Sequence, residues 1–309
     1  LWPAARAAKR RDVPLVYDSH EFWTEQSSLV DRSAIRTFWA LLERRLIQRA
    51  NRVIAVSPSI AKALEQRYGL EDITVLHNLP HFKEPVDSDL IRTELQLATD
   101  RPIVLYQGGF LTDNGLSEQI EAAAGFSKAA LVLIGDGPNE GLLKTQVAQS
   151  GLEDRVYFIP RVPFHQLHAY TCSADLGLCL IKGAGKSFYY SMPNKLFEYL
   201  IAGLPVLASN FPEMRSVVDA TGAGEAVDPQ DVTAIRDCVE RLLADAELRQ
   251  QYANAAKGQG KTVPDARHMI RNGLVQLKAF ISAPHAPGWA QLATFAAYFP
   301  LQMLAAQRT

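Results

Sequence analysis

The run Pro193-Asn194-Lys195-Leu196-Phe197-Glu198-Tyr199-Leu200-Ile201-Ala202-Gly203-Leu204-Pro205-Val206-Leu207-Ala208-Ser209 reads as a loop, a helix and a buried strand in succession. Pro193 suits the first turn of a helix, where its missing N–H is no loss. Phe197, Leu200, Ile201 and Leu204 recur at the spacing of one helical face. Gly203 and Pro205 stop the helix, and residues 204–208 form a short apolar strand. A helix that opens directly out of a loop presents free backbone N–H groups and the positive end of its dipole. Asn194 and Lys195 therefore stand where a phosphate would be held. Glu198, one turn on from Asn194, is placed to take the hydroxyls of an attached ribose. An ordinary amphipathic helix beginning with a lysine gives the same pattern, so spacing alone leaves both readings open.

A chain of 309 residues, 48% of them hydrophobic, can bury a sizeable core and has the length of two domains. The net charge of -1 gives no electrostatic case for nucleic acid as a partner. Cys172, Cys179 and Cys238 have neither a pairing framework nor metal spacing, and read as buried small apolar residues in a reducing compartment. No run has the ~18 uncharged apolar residues of a membrane span, and no signal peptide opens the chain, so a cytoplasmic location is expected. The chain begins at Leu1, not at Met, with what reads as the end of a helix over residues 1–11. An N-terminal unit that lacks its first part is expected.

Short apolar runs alternate with amphipathic ones along the chain, the pattern of doubly wound α/β domains. Strands are expected at 13–17, 53–56, 73–76, 103–107, 130–134, 156–159, 176–181 and 223–227. Asp18-Ser19-His20-Glu21 follows the first of them. Polar groups at the carboxyl end of a parallel strand make a site candidate, although a solvated loop explains them too and a metal site explains them poorly. The helix over 35–50 is expected to put Glu43, Arg44 and Arg45 on a solvated face. Ser57 caps the next helix and Gly69 stops it. Residues 80–100 read as a linker with a short helix over 88–97.

Gly108-Gly109 makes a turn where backbone can approach a phosphate, as plain tight turns also do. Gly135-Asp136-Gly137-Pro138 is no dinucleotide fingerprint, because the next glycine, Gly141, falls one residue late. The run 183–187 looks like the end of a P-loop but has Leu180 where the motif needs glycine. With Pro193 so near, no helix is expected to start at Ser187; a mobile loop is expected instead, with Lys186 in reach of a phosphate. His77 carries no role that the sequence supplies. Helices are expected at 232–244, 247–257 and 266–282.

PNKLFEYLIAGLPVLAS, with Glu198, Gly203 and Pro205 in place, resembles the donor-binding segment of the GT-B nucleotide-sugar glycosyltransferases, most of all the retaining glycosyltransferase family 4. The resemblance covers residues 1–283 and is most specific between Val156 and Ser209. It implies that Glu198 holds the ribose, and that Pro193, Asn194, Lys195 and Leu196 hold the diphosphate with the helix end. It also implies that His20 faces the donor sugar and phosphate, and that the backbone of Gly108, Gly109, Gly135 and Gly137 borders the donor. The loop Pro160-Arg161-Val162 would pack against the base. Two departures stand out. The family's Arg and Lys in the Gly108–Gly109 loop are replaced here by Phe110 and Asn114, which leaves more of the charge compensation to Lys195. The first of the family's two spaced glutamates falls at Tyr190.

The expected architecture is thus α/β, two doubly wound Rossmann-like domains in the GT-B arrangement with a cleft between them. Residues 1–98 would be an incomplete acceptor-side domain plus linker, 99–283 the nucleotide-sugar-binding domain, and 284–309 a tail helix. The expected activity moves a sugar from a nucleotide-diphosphate-sugar to a hydroxyl of a saccharide or lipid-linked acceptor, with retention, in cell-surface polysaccharide or glycolipid synthesis. His20, Lys195 and Glu198 are the expected catalytic residues. No cofactor or metal is called for, since the nucleotide sugar is a substrate. The aromatic stretch 287–307 suits a helix crossing back to the first domain, with peripheral membrane contact as the rival reading. A nucleotide-sugar epimerase of the same fold and a non-catalytic nucleotide-sugar-binding protein stay open as alternatives.

Overall fold

The structure, a computed structural model, describes residues 1–183 and 185–260. The helix expected over 266–282 and the tail helix lie outside the described residues. Contacts divide the chain into two units, one with residues 1–78 and 185–191, the other with residues 79–183 and 192–260.

The first unit runs α1 (Trp2–Arg11), β1 (Val16–Ser19), α2 (Ser27–Val30), α3 (Ser33–Ile47), β2 (Arg52–Ala55), α4 (Pro58–Tyr68) and β3 (Thr74–Val75). Its strands form a parallel sheet in the order β1-β2-β3, with Val16 beside Arg52 and Ile54 beside Thr74. Tyr17, Ile47, Ala55, Ile60 and Leu64 build its core. Ser57 caps α4 by accepting from the Ile60 N–H, and Gly69 ends it in the left-handed region at φ 63°.

The second unit has α5 (Leu90–Leu95), β4 (Ile103–Gln107), α6 (Leu116–Ala123), β5 (Ala130–Ile134), α7 (Glu140–Gln149), β6 (Val156–Ile159), α8 (Phe164–Cys172) and β7 (Leu176–Cys179). The chain then gives α9 (Lys186–Tyr189) to the first unit before α10 (Asn194–Ile201), β8 (Val206–Ser209), α11 (Pro212–Thr221), β9 (Gly224–Val227), α12 (Val232–Ala244) and α13 (Ala246–Gly260). All six strands are parallel, in the order β6-β5-β4-β7-β8-β9. β4 and β5 are buried at every position, as strands covered by helices on both faces must be, and this is why they read as unbroken apolar runs. Chain order reverses between β4 and β7, the place where open α/β sheets leave a crevice at the strand carboxyl ends.

Several expectations change. Asp18 and Ser19 lie within β1, which starts later than expected, at Val16. The linker helix is only Leu90–Leu95. Pro193 is the residue before α10 and has extended backbone, so the helix proper begins with Asn194. A one-turn helix, α9, does form where none was expected, because its four residues complete a turn at Tyr189, with three residues still to go before Pro193. Of the three cysteines, Cys179 and Cys238 are buried but Cys172 is only partly so. His77 gains a role: its Nδ1 lies 3.0 Å from the Val56 carbonyl, tying the end of the first unit to the residue that follows β2.

Glu43 is the sharpest correction. It is not on a solvated face but buried, accepting hydrogen bonds from Tyr17 Oη at 2.6 Å and Tyr68 Oη at 2.5 Å. In a helix it shares a stripe with Leu46 and Ile47, three and four residues on, and these enter the core; Arg44 and Arg45 do stay exposed. Removing this carboxylate strands two buried hydroxyls. Glu43→Ala is therefore expected to lower the unfolding free energy by about 3 kcal/mol, against about 1 kcal/mol for Tyr68→Phe. Urea titration of both variants checks the ranking, and equal losses would contradict it.

Candidate active site

Helix α10 organises the carboxyl end of the second sheet. Leu196, Phe197, Tyr199, Leu200 and Ile201 are buried, each contributing roughly 1.5–3 kcal/mol of apolar burial, and the helix packs on α13, β7 and β8. That packing fixes where Lys195 and Glu198 point. The Lys195 ammonium lies 4.0 Å from the centroid of the Tyr106 ring at the end of β4. It also lies beside Gly108, close enough that a Cβ there would come within 3.2 Å of Nζ. Glu198 accepts from Gln107 Nε2 at 2.6 Å. The Gln107 backbone N–H donates to Tyr199 Oη at 3.0 Å. Three residues of α10 thus engage three successive residues of β4 and its turn, Tyr106, Gln107 and Gly108.

Burial shapes the electrostatics. It is the main cause that lowers the Lys195 ammonium to about 8, with the pull of Cys179 and Glu198 opposing it. Burial also raises the Glu198 carboxyl, against the Gln107 hydrogen bond and the charges of Lys195, Lys83 and His168. Both groups are pushed toward neutrality, so removal from water outweighs their mutual attraction. An anion that arrived at Lys195 would favour the ammonium and raise its pKa again.

The glycine turns have a packing task of their own. Gly135, at φ 149°, passes so close that a Cβ would sit 2.0 Å from the Gly108 carbonyl oxygen, and at Gly137 one would sit 2.7 Å from the Phe110 backbone. These glycines let the turns after β4 and β5 lie against each other. The Gly109 carbonyl receives both Tyr106 Oη and Asn114 Nδ2 at 2.7 Å. Phe110 and Asn114, which stand in place of the family's two cations, are buried. The turn is built rigidly, and Lys195 supplies its positive charge from α10.

Arg161 is exposed and pairs with Asp136 Oδ1 at 2.8 Å, which brings the loop after β6 to the Gly135–Gly137 turn, with Val162 partly buried next to it. Asn194 is exposed at the first position of α10. His20 belongs to the first unit, exposed just after β1. Its Nε2 lies 3.0 Å from Asp18 Oδ2, and that hydrogen bond raises its pKa. Lys186 is exposed on α9 in the first unit. Among the described residues no three His, Cys, Asp or Glu side chains converge as a metal site would, and no helix is long and apolar enough to cross a membrane. Sequence reading missed Tyr106, Gln107 and Thr171. The signal was there for Gln107: a polar residue closing a five-residue buried strand needs a partner.

Comparison with known proteins agrees with this architecture. Residues 87–259 match the family model described as "Glycosyl transferases group 1", and residues 1–79 match "Glycosyltransferase Family 4". The chain is 28% identical over 231 residues to alpha-D-kanosaminyltransferase of Streptomyces kanamyceticus, covering 71% of this chain and 57% of that protein. It is 26% identical over 269 residues to D-inositol 3-phosphate glycosyltransferase of Xylanimonas cellulosilytica, covering 81% and 63%. The chain therefore spans less than two thirds of the length of these relatives. In fold it is similar to Anabaena Alr3699/HepE, solved in complex with UDP-glucose, at a TM-score of 0.74 with 20% identity, covering 89% of this chain and 75% of that one. Sucrose-phosphate synthase from Thermosynechococcus elongatus gives a TM-score of 0.70 with 22% identity, covering 87% and 68%. The fold is that of the GT-B glycosyltransferases, and with the family model matching more than half of its residues, the chain belongs to the glycosyl transferases group 1 family.

Proposed function

We propose that this chain, or the longer protein it belongs to, transfers a sugar from a nucleoside diphosphate-sugar to a hydroxyl of a saccharide or lipid-linked acceptor, with retention at the anomeric carbon. The observation that carries this reading is the amino end of α10, where Lys195 brings an ammonium to Gly108 and Glu198 follows one turn later. A diphosphate at the helix end meets free N–H groups and Lys195, while the adjoining ribose hydroxyls donate to Glu198. In the reaction the bond from the anomeric carbon to the phosphate oxygen breaks, and its electron pair goes to the departing diphosphate. The acceptor oxygen bonds to the anomeric carbon on the same face and gives its proton to a phosphate oxygen. Preorganised positive groups aimed at the leaving oxygens are the protein's main contribution to rate.

The relatives support the class of donor. The fold neighbour from Anabaena was solved with UDP and glucose as well as with UDP-glucose, and Staphylococcus aureus TarM with UDP. The test is release of nucleoside diphosphate from a panel of UDP-, GDP-, ADP-, CDP- and dTDP-sugars, with and without saccharide and lipid-linked acceptors. Acceptor-dependent release from one donor is expected. Absence of both release and binding across the panel would refute the reading.

A further inference from the structure

We propose that Gln107 is a positioning residue for Glu198, held in place by Thr171, so that a buried relay from α8 through β4 sets how the carboxylate of α10 faces a bound ribose. This rests on the donor-binding reading above. Gln107 is 2% exposed and Thr171 1% exposed, and neither has access to a ligand of its own. The amide orientation follows from chemistry. A carboxylate only accepts, so the group 2.6 Å from Glu198 Oε2 is the Gln107 NH2, and the amide oxygen faces the other way. There it lies 2.8 Å from Thr171 Oγ1. The same hydroxyl is 2.8 Å from the Leu167 carbonyl one turn back in α8, so its single hydrogen serves one oxygen or the other. The Gln107 backbone is fixed as well, through its N–H to Tyr199 Oη, the next residue of α10.

The consequence is a division of labour within one carboxylate. Oε2 already accepts from Gln107, which leaves Oε1 and the second lone pair of Oε2 to meet a diol. A free glutamate on a helix samples several rotamers, and each must be given up on binding; a carboxylate already tied at one oxygen has lost that freedom. Charge-assisted hydrogen bonds of this kind are stronger than neutral ones. The charged groups that act on Glu198 are Lys195 of its own helix, His168 of α8 and Lys83 of the segment before α5, all of which favour its ionised form.

The test compares the wild-type chain with Glu198→Ala, Gln107→Leu, Thr171→Val and Gln107→Glu, using calorimetric titration with UDP, GDP, ADP, CDP and dTDP and steady-state kinetics on the matching donor. Gln107→Leu is expected to raise the donor KM about 10-fold with kcat nearly unchanged, since it disturbs a grip made equally in ground and transition states. Thr171→Val is expected to act in the same direction and less. A merely structural role would lower the active fraction, reducing kcat at constant KM, and would overturn the proposal. Gln107→Glu, of nearly the same shape, sets two carboxyl groups against each other that share one proton at low pH and repel when both ionise. Its affinity relative to wild type is expected to fall about 10-fold between pH 6 and pH 8.5. This variant also decides the matter if Gln107→Leu does not fold, since a flat ratio would then count against the relay. If Glu198→Ala weakens binding at least 10-fold while Gln107→Leu changes it less than threefold, the relay is wrong and the donor site stands. If Glu198→Ala changes nothing, or no nucleotide binds the wild-type chain, the donor reading itself falls and takes the relay with it.

Discussion

Replacing Glu198 by alanine is expected to weaken nucleoside diphosphate binding about 100-fold while leaving the chain folded. Two hydroxyls donating to one carboxylate give two charge-assisted hydrogen bonds, and a loss of about 2.7 kcal/mol corresponds to that factor. Stability changes much less, because two effects oppose each other. The variant leaves Gln107 Nε2 without its acceptor, but it also removes a carboxylate that burial already pushes toward its neutral form. Glu198→Gln keeps an acceptor for Gln107 and removes only the charge, so it should bind more weakly than wild type and more tightly than alanine. Isothermal titration with circular dichroism melts reads both quantities. Unchanged affinity in a folded Glu198→Ala protein would remove the ribose from this pocket.

Lys195→Met carries the second large effect, a fall in kcat of about 10³-fold at pH 7. Removing one preorganised donor from developing negative charge costs about 10²–10³ in rate, and Lys195 supplies a full charge at Gly108. The sign of the pH dependence follows from its lowered pKa of about 8. Below that value the free protein carries the ammonium, and above it the charge is lost, so donor capture, read as kcat/KM, should decline as pH rises through 8. On the acid side capture should also decline, as the Glu198 carboxyl, raised by burial, takes up its proton. Lys195→Met should abolish the alkaline limb and leave the acid one.

Stability runs the other way from activity at this residue. The unfolded chain holds the lysine proton up to its ordinary value of 10.5, while the folded one releases it near 8. Between these values the unfolded state binds more protons, so stability rises with pH across that window. At pH 7 the buried ammonium is a burden on the fold. Lys195→Met should melt no lower than wild type, and a clear drop in Tm would contradict this account of the site.

Some of this was legible in the residues alone. Parallel strands covered on both faces must be apolar throughout, and residues 103–107 and 130–134 announce themselves for that reason. The stop signals at Gly203 and Pro205 and the apolar stripe of α10 placed a helix end correctly to within one residue, Pro193 proving to be the position before the helix. Glu43 was misread because its neighbours Arg44 and Arg45 suggested a charged face, although its spacing from Leu46 and Ile47 put it on the buried stripe. That Phe110 and Asn114 replace the family's turn cations was legible in the sequence; that the fold buries both was not.

Order along the chain therefore determined the alternation of strands and helices, the helix opening to within one residue of Asn194, and the presence there of a lysine and a glutamate at helical spacing. These are local matters of periodicity and capping, and a linear string records them. The partners of those two side chains were decided only by the tertiary structure. The strand order β6-β5-β4-β7-β8-β9 brings α10 against β4, about ninety residues earlier in the chain. That pairing puts Tyr106 under Lys195, Gln107 against Glu198 and Thr171 behind Gln107. Contacts between residues so far apart depend on how sheets and helices stack, and no local pattern in the sequence encodes them.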